Sequence, residues 1–219
     1  MKRLKGFTLV EILVVILIIL ILAGVLFPVI LGVKSRAQQT KCALHMRQIG
    51  IAISMYAQDH DDMPPQGAYN TSVQPTFPVP IYTNQTAYRV TWEDILIGMQ
   101  YLKSYEIFIC PAASNNDYRS SYGVNRWIMK WETSEKLESP PYPTYTALIS
   151  EKEGPDWPIK LPTPADKADP YYFPMDPRHS NKLNVLFLDG HVKTVVVGEP
   201  IENNKTGTIY LGNIIWKFK

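Results

Sequence analysis

Cysteine is nearly absent, with two residues in 219, Cys42 and Cys110, so covalent stapling can amount to one bridge. An excess of one charge is missing too. The chain carries 22 basic and 20 acidic residues, and without Lys2, Arg3 and Lys5 the balance is 19 against 20. A nucleic-acid binder presents a basic excess or a clustered basic face, and the lack of both disfavours nucleic acid as a partner. No heptad array, internal repeat or low-complexity tract is visible, which argues against a solenoid or an extended coiled coil. Cys-x-x-Cys, His-Glu-x-x-His and Gly-x-Ser-x-Gly patterns are also lacking, so no motif argues for an enzyme.

What is present begins at the amino end. From Leu9 to Ile30 every residue is apolar or small except Glu11. As a helix this run spans about 33 Å, the thickness of a bilayer's hydrocarbon core. An ionisable residue inside such a run is costly and is by default a functional hypothesis. Lys2, Arg3 and Lys5 precede the run and would hold the amino terminus in the cytoplasm, sending the rest outward. A secretory signal peptide orders these parts differently, with a shorter apolar region and a small-residue cleavage site after it. Here Gly6, the best small residue for cleavage, comes first.

Gly6, Phe7, Thr8, Leu9, Val10 and Glu11 resemble the prepilin signature of type IV pilins and type II secretion pseudopilins. The resemblance implies a membrane prepilin peptidase that cuts after Gly6 and methylates the new terminus at Phe7. It implies an assembly role for Glu11, whose carboxylate would pair with the amino terminus of a neighbouring subunit. A lone buried carboxylate costs several kcal/mol, and an ammonium partner relieves much of that cost. Gly24 and Pro28, placed where many pilins carry a proline, are the positions where the helix can open locally. The other reading of the segment is an uncleaved anchor whose Glu11 snorkels to the interface.

The helical pattern outlasts the membrane run. Cys42, Met46, Ile49, Ile53 and Tyr56 recur at steps of four and three and form one apolar stripe. Ile51 and Met55 are expected to broaden it. Pro64 and Pro65 stop a helix of about 55 residues just after Asp62. The domain organisation read here is a cleaved leader at 1–6, a hydrophobic membrane or filament-core helix at 7–30, its amphipathic continuation at 31–62, and a head at 63–219. About 190 residues after the apolar segment suffice for one compact domain. The fold class is α+β. The resemblance implies the pilin lollipop, a long amino-terminal helix packed on a globular head with a small antiparallel sheet.

Within the head, Thr91 caps a helix with Glu93 and Asp94 in its first turn, leading into residues 95–102. Tyr105 to Cys110 reads as a short strand, as does Thr146 to Ser150. Residues 140–143 and 154–177 are proline-rich surface loops. Asp189-Gly190, between apolar and β-branched runs, predicts a hairpin closed by a two-residue turn, and residues 209–218 add a last strand.

His179 followed after nine residues by Asp189-Gly190 resembles the H-X9-DG signature at the carboxyl end of a large group of prepilin-like proteins. Residues 41–65, 107–111 and 121–125 resemble the same group. His179 with Asp189 would suit an acid/base pair, and adding His191 or Glu151 a zinc-like set. The structural reading assigns Asp189 to the turn and His179 to hydrogen bonds with the adjoining strand. Asp59, Asp61 and Asp62 offer oxygens to calcium, without the Gly and terminal Glu of an EF-hand. No other cofactor is expected. Cys42 and Cys110 either bridge the head to its helix, which an extracytoplasmic location permits, or are small buried residues.

These expectations describe a structural subunit, pilin or pseudopilin, of a type IV pilus or type II secretion filament. Its partners would be the prepilin peptidase, an inner-membrane assembly platform and other pilins or pseudopilins in a homo- or hetero-oligomer. It would sit in the cytoplasmic membrane by a single pass, amino terminus inside and head outside, and then in a surface or periplasmic filament. The alternative is a tethered protein that binds a polymer such as DNA or polysaccharide, with Trp127, Trp131, Trp157 and Tyr171 available for stacking.

Overall fold

The computed structural model describes residues 8–71, 88–113, 120–125, 128–130, 136–138, 140, 142–152, 176–196, 210–211 and 214–215. The chain divides into two units, Met1–Ala37 and Gln38–Lys219.

In the first unit, α1 (Leu9–Asp59) begins and runs unbroken across Gly24 and Pro28. Its described apolar side chains from Leu9 to Leu26 are all exposed. A helix that is apolar on all sides has no polar face to offer water, and this one is long and apolar enough to cross a membrane.

In the second unit α1 becomes one-sided. Cys42, Met46, Ile49, Ala52, Ile53 and Ala57 are buried, while Arg47 and Gln48 are exposed. Ile51 and Met55 depart from expectation: they are 55% and 49% exposed, and with Leu44 they line a second apolar stripe. Each residue turns the helix by about 100°, so Ile51 lies roughly 160° around from Ile49 and cannot share its face. The helix also stops three residues sooner than Asp62. Asp61 and Asp62 take left-handed conformations, φ 54° and 66°, and Asp62 N–H turns back to the Ala57 carbonyl at 2.8 Å. The end is thus a left-handed cap ahead of the prolines.

Two strands, β1 (Ala68–Thr71) and β2 (Tyr88–Thr91), pair antiparallel and lead into α2 (Trp92–Gly98). Asp94 Oδ2 accepts from both the backbone N–H and the hydroxyl of Thr91, at 3.0 Å each, so Thr91 and Asp94 cap this helix together. Tyr105–Phe108 is a 3₁₀ turn where a short strand is expected over Tyr105 to Cys110. Ser104 Oγ accepts from Glu106 N–H at 3.2 Å and Tyr105 OH donates to Asp94 Oδ1 at 2.8 Å, so side-chain partners replace a strand neighbour.

The main sheet has four antiparallel strands in the order β3 (Tyr122–Val124), β4 (Ala147–Glu151), β5 (Lys182–Phe187), β6 (Val192–Val196). Every residue of β4 is buried, whereas β6 is an edge of intermediate and exposed residues. The core joins the buried stripe of α1 to Trp92, Leu96, Phe108, Tyr122, Ile149 and Leu186. α1 comes close to β5 at Gly50, where an added Cβ would stand 2.9 Å from Leu186 Cδ1.

The β5–β6 connection is a hairpin, but its loop is longer than the expected two residues. Phe187 N–H donates to the His191 carbonyl and Gly190 N–H to the Phe187 carbonyl, both at 2.9 Å, leaving Leu188, Asp189 and Gly190 as the loop. Gly190 at φ 86° supplies the left-handed residue that three-residue hairpins require. A small hairpin of β7 (Tyr210–Leu211) and β8 (Ile214–Ile215) stands in place of the single last strand expected at 209–218.

Candidate functional site

The chemistry of the first unit is concentrated at the start of α1. Thr8 N–H and Thr8 Oγ1 both donate to Glu11 Oε2, at 2.7 and 2.8 Å, and Glu11 N–H returns a bond to Thr8 Oγ1 at 3.3 Å. This is a reciprocal capping box, which satisfies helix-end donors that would otherwise lack partners. Glu11 is the sole charged residue between Leu9 and Val33. Its carboxylate is held toward the amino end of the helix by the two bonds from Thr8. Gly6 and Phe7 lie outside the described residues.

The second unit holds a buried polar cluster. Cys42 on α1 and Cys110, which follows the 3₁₀ turn, form a disulfide across a separation of 68 residues. Glu151 ends β4 and His179 precedes β5, and His179 Nε2–H donates to Glu151 Oε1 at 2.8 Å. Cys110 Sγ lies 3.6 Å from His179 Nε2 and 4.0 Å from Glu151 Oε1. The side chains of Glu151 and His179 are 0% and 1% exposed. Asn184 fixes the carboxylate, its backbone N–H bonding to Oε2 at 3.0 Å and its Nδ2 to Oε1 at 3.1 Å. Behind it, Thr194 Oγ1 donates to Asn184 Oδ1 at 2.8 Å and Gln39 Nε2 to Thr194 Oγ1 at 3.1 Å. Tyr122 packs beside the cluster, donating to the Cys42 carbonyl at 3.5 Å. Burial pushes its phenol far above the ordinary range, the nearby charge of Glu151 adds to that, and Arg178 acts in the opposite sense.

Comparison with known proteins gives two findings. Residues 1–27 match the family described as prokaryotic N-terminal methylation motif. The chain is 37% identical over 82 residues to the type II secretion system core protein G of Vibrio cholerae serotype O1, a match covering 36% of this chain and 56% of that protein. The chain thus carries an N-terminal methylation motif and is similar, over part of its length, to a type II secretion core protein. It spans little more than half the length of the curated relative it matches. No solved structure matches it.

Of the other candidate residues, His179 and Asp189 have separate partners. His179 joins Glu151, and its backbone N–H and carbonyl pair with Lys182 at 3.1 and 3.2 Å. Asp189 Oδ1 accepts from His191 Nδ1–H at 2.6 Å, within the hairpin loop it shapes. The acid/base pairing of His179 with Asp189 is thus replaced by two pairs. The calcium candidates diverge as well: Asp59 Oδ2 accepts from Tyr101 OH at 2.6 Å, and Asp62 Oδ2 accepts from Glu138 N–H at 2.9 Å. The left-handed turn at Asp61 and Asp62 sends these acids to different neighbours. Trp127, Trp131, Trp157 and Tyr171 lie outside the described residues.

Asn184 escaped sequence reasoning, although a signal was present. It interrupts the otherwise apolar run Leu183, Val185, Leu186 and Phe187, and a buried amide in such a strand demands partners.

Proposed function

We propose that this protein is a structural subunit of a type II secretion or type IV pilus filament, processed after Gly6 and methylated at Phe7. The observation that carries the reading is the methylation motif over residues 1–27, which takes in the start of α1, where the described apolar side chains from Leu9 to Leu26 are all exposed. Such a surface has two stable environments, lipid and a bundle of like helices, and moving between them exchanges one apolar contact for another. The segment would wait in the cytoplasmic membrane, amino terminus inside, and then join a filament core made of the 7–30 helices.

Glu11 would have a second role there. Held by Thr8 near the start of the helix, its carboxylate lies close to the terminus that cleavage creates, where it would meet the ammonium of an adjacent subunit. Gly24 and Pro28 would let the helix open locally as neighbours pack. The relative named as a secretion-system core protein supports the secretion alternative. Partners under this reading are the prepilin peptidase, an inner-membrane assembly platform and other pilin-like subunits, and the role requires no catalysis by the chain itself.

Amino-terminal mass spectrometry of the membrane-extracted protein, combined with microscopy of surface filaments, tests the reading. The expected product begins at an N-methylated Phe7, and a Gly6→Leu variant accumulates as the precursor. Normal maturation of that variant would refute prepilin processing.

A further inference from the structure

We propose that the reduced form of this head binds one zinc-class divalent ion through Cys42 Sγ, Cys110 Sγ, His179 Nε2 and Glu151 Oε1, so that the disulfide and a metal clamp are alternative states of one site. The four donor atoms lie within 4.8 Å of one another, and all four residues are buried. Among the described residues no other group of three or more His, Cys, Asp or Glu side chains converges in this way.

The disulfide alone does not account for this environment. A bridged sulfur has no proton to donate and no charge to balance, yet a carboxylate and an imidazole are buried against it. A buried pair of this kind is often no more stabilising than apolar residues of similar volume. A metal ion accounts for all four residues together. Two thiolates, one imidazole and one carboxylate form the donor set of a closed tetrahedral zinc site.

The spacing fits after a small adjustment. Zinc bonds of about 2.3 Å to sulfur and about 2.0 Å to nitrogen or oxygen put tetrahedral donors about 3.3–3.8 Å apart. Cys110 Sγ already stands 3.6 Å from His179 Nε2 and 4.0 Å from Glu151 Oε1. The His179–Glu151 contact has to widen by roughly half an ångström, and the two sulfurs, once freed, have to part to about 3.8 Å. The supporting layer is built as well. Asn184 holds both carboxylate oxygens and is held in turn by Thr194, and orientation of this kind is what outer hydrogen bonds give metal ligands. Arg178, next to His179, keeps Nε and Nη1 buried without a hydrogen-bond partner. Its Nη2 is already paired with Asp176 at 2.8 Å and donates to the Lys152 carbonyl, so Arg178 brings these two buried N–H groups near His179 in sequence rather than an uncommitted charge.

The chemistry balances as follows. A dithiol or phosphine reductant gives two electrons to the Cys42–Cys110 bond and is itself oxidised, and the two sulfurs take up two protons. The metal ion displaces those two protons to solvent as it binds both thiolates. The imidazole keeps its single proton, which moves from Nε2 to Nδ1 to free Nε2 as a ligand. Oxidation by a disulfide-carrying oxidoreductase reverses the sequence and expels the ion.

The test uses the full chain in detergent. Phosphine-reduced, metal-free protein is titrated with cobalt(II) and then zinc(II), with the oxidised protein as control. The expected result is one cobalt per reduced chain, with the ligand-field absorption of tetrahedral coordination and thiolate-to-cobalt charge transfer, both lost on adding zinc and absent from oxidised protein. A reduced chain without these bands, or equal binding by the oxidised chain, overturns the proposal. Asn184→Ala replaces none of the four ligands but removes the Nδ2 bond that orients Glu151, and is expected to weaken cobalt binding about 10–100-fold. Unchanged affinity in Glu151→Gln would remove the carboxylate from the site and overturn the four-ligand assignment. The titration is independent of filament assembly, so its failure leaves the subunit reading standing.

Discussion

A Cβ placed on Gly67 would stand 2.4 Å from the carbonyl oxygen of Met129. The approach is fixed from both sides, since Gly67 N–H donates to the Lys130 carbonyl at 2.8 Å and its own carbonyl accepts from Trp92 N–H at 3.2 Å. Gly67→Ala therefore forces backbone apart and is expected to cost about 1–3 kcal/mol. The denaturant midpoint of the detergent-solubilised chain measures this. An unshifted midpoint would mean that these segments do not meet closely.

Removing the bridge frees the unfolded chain over a separation of 68 residues. On chain-entropy grounds Cys42→Ala with Cys110→Ala should lose roughly 4 kcal/mol. In the absence of metal, wild-type protein under reductant should melt near the double variant. A melt insensitive to reductant would contradict the bridge.

His45 gives the head an acid-sensitive element. Burial lowers its pKa below 6.5, a bond from Nδ1 to the Ile109 carbonyl at 3.2 Å partly opposes that, and Lys41 adds to the lowering. The unfolded chain thus takes up this proton at a higher pH than the folded one. The associated stability is complete above about pH 6.5 and declines as pH falls through the folded value. His45→Gln should flatten that part of the stability-against-pH curve. An identical acid slope in the variant would remove His45 as its source.

Glu11 combines a cap with a charge, and substitutions separate the two. Glu11→Gln keeps an acceptor for Thr8 and should still be processed, while losing the partner proposed for the neighbouring terminus. Thr8→Val removes the hydroxyl on which two of the three cap bonds depend and keeps the charge. Filament yield should fall more in Glu11→Gln than in Thr8→Val. The reverse order would assign Glu11 to capping alone.

Leu44, Ile51 and Met55 expose an apolar line on the side of α1 away from the core. Ile51→Lys should leave the stability of the isolated subunit within about 0.5 kcal/mol, as surface substitutions usually do. If that line meets a neighbour in a filament, assembly should drop while subunit melting holds. Loss of stability in the subunit would instead show Ile51 serving the head.

Much of α1 was legible because two periodicities write it, an all-round apolar run and then a stripe at steps of four and three. Its end was read late because Asp61 and Asp62 adopt left-handed backbone that composition does not display. The apolar and aromatic composition of Tyr105 to Cys110 suits a strand, but Ser104 and Asp94 supply partners that hold the segment in a 3₁₀ turn. Asp189-Gly190 located the hairpin, but the loop length depends on Asp189 binding His191, which the dipeptide does not encode. The buried cluster was the least legible feature. Cys42, Cys110, Glu151 and His179 come from four distant stretches, and packing of α1 against the sheet brings them together.

Among the described side chains of α1, Cys42 is the first that is buried, and the covalent link to Cys110 is made there. Any tension arriving along the helix from its apolar end meets a sulfur–sulfur bond before it reaches Met46, Ile49 or Ile53. Side-chain packing yields under modest force by slipping one contact at a time, whereas this junction would pass a pull to the segment that follows the 3₁₀ turn without peeling the helix away. A subunit drawn out of a membrane by such a helix would keep its head intact during the extraction.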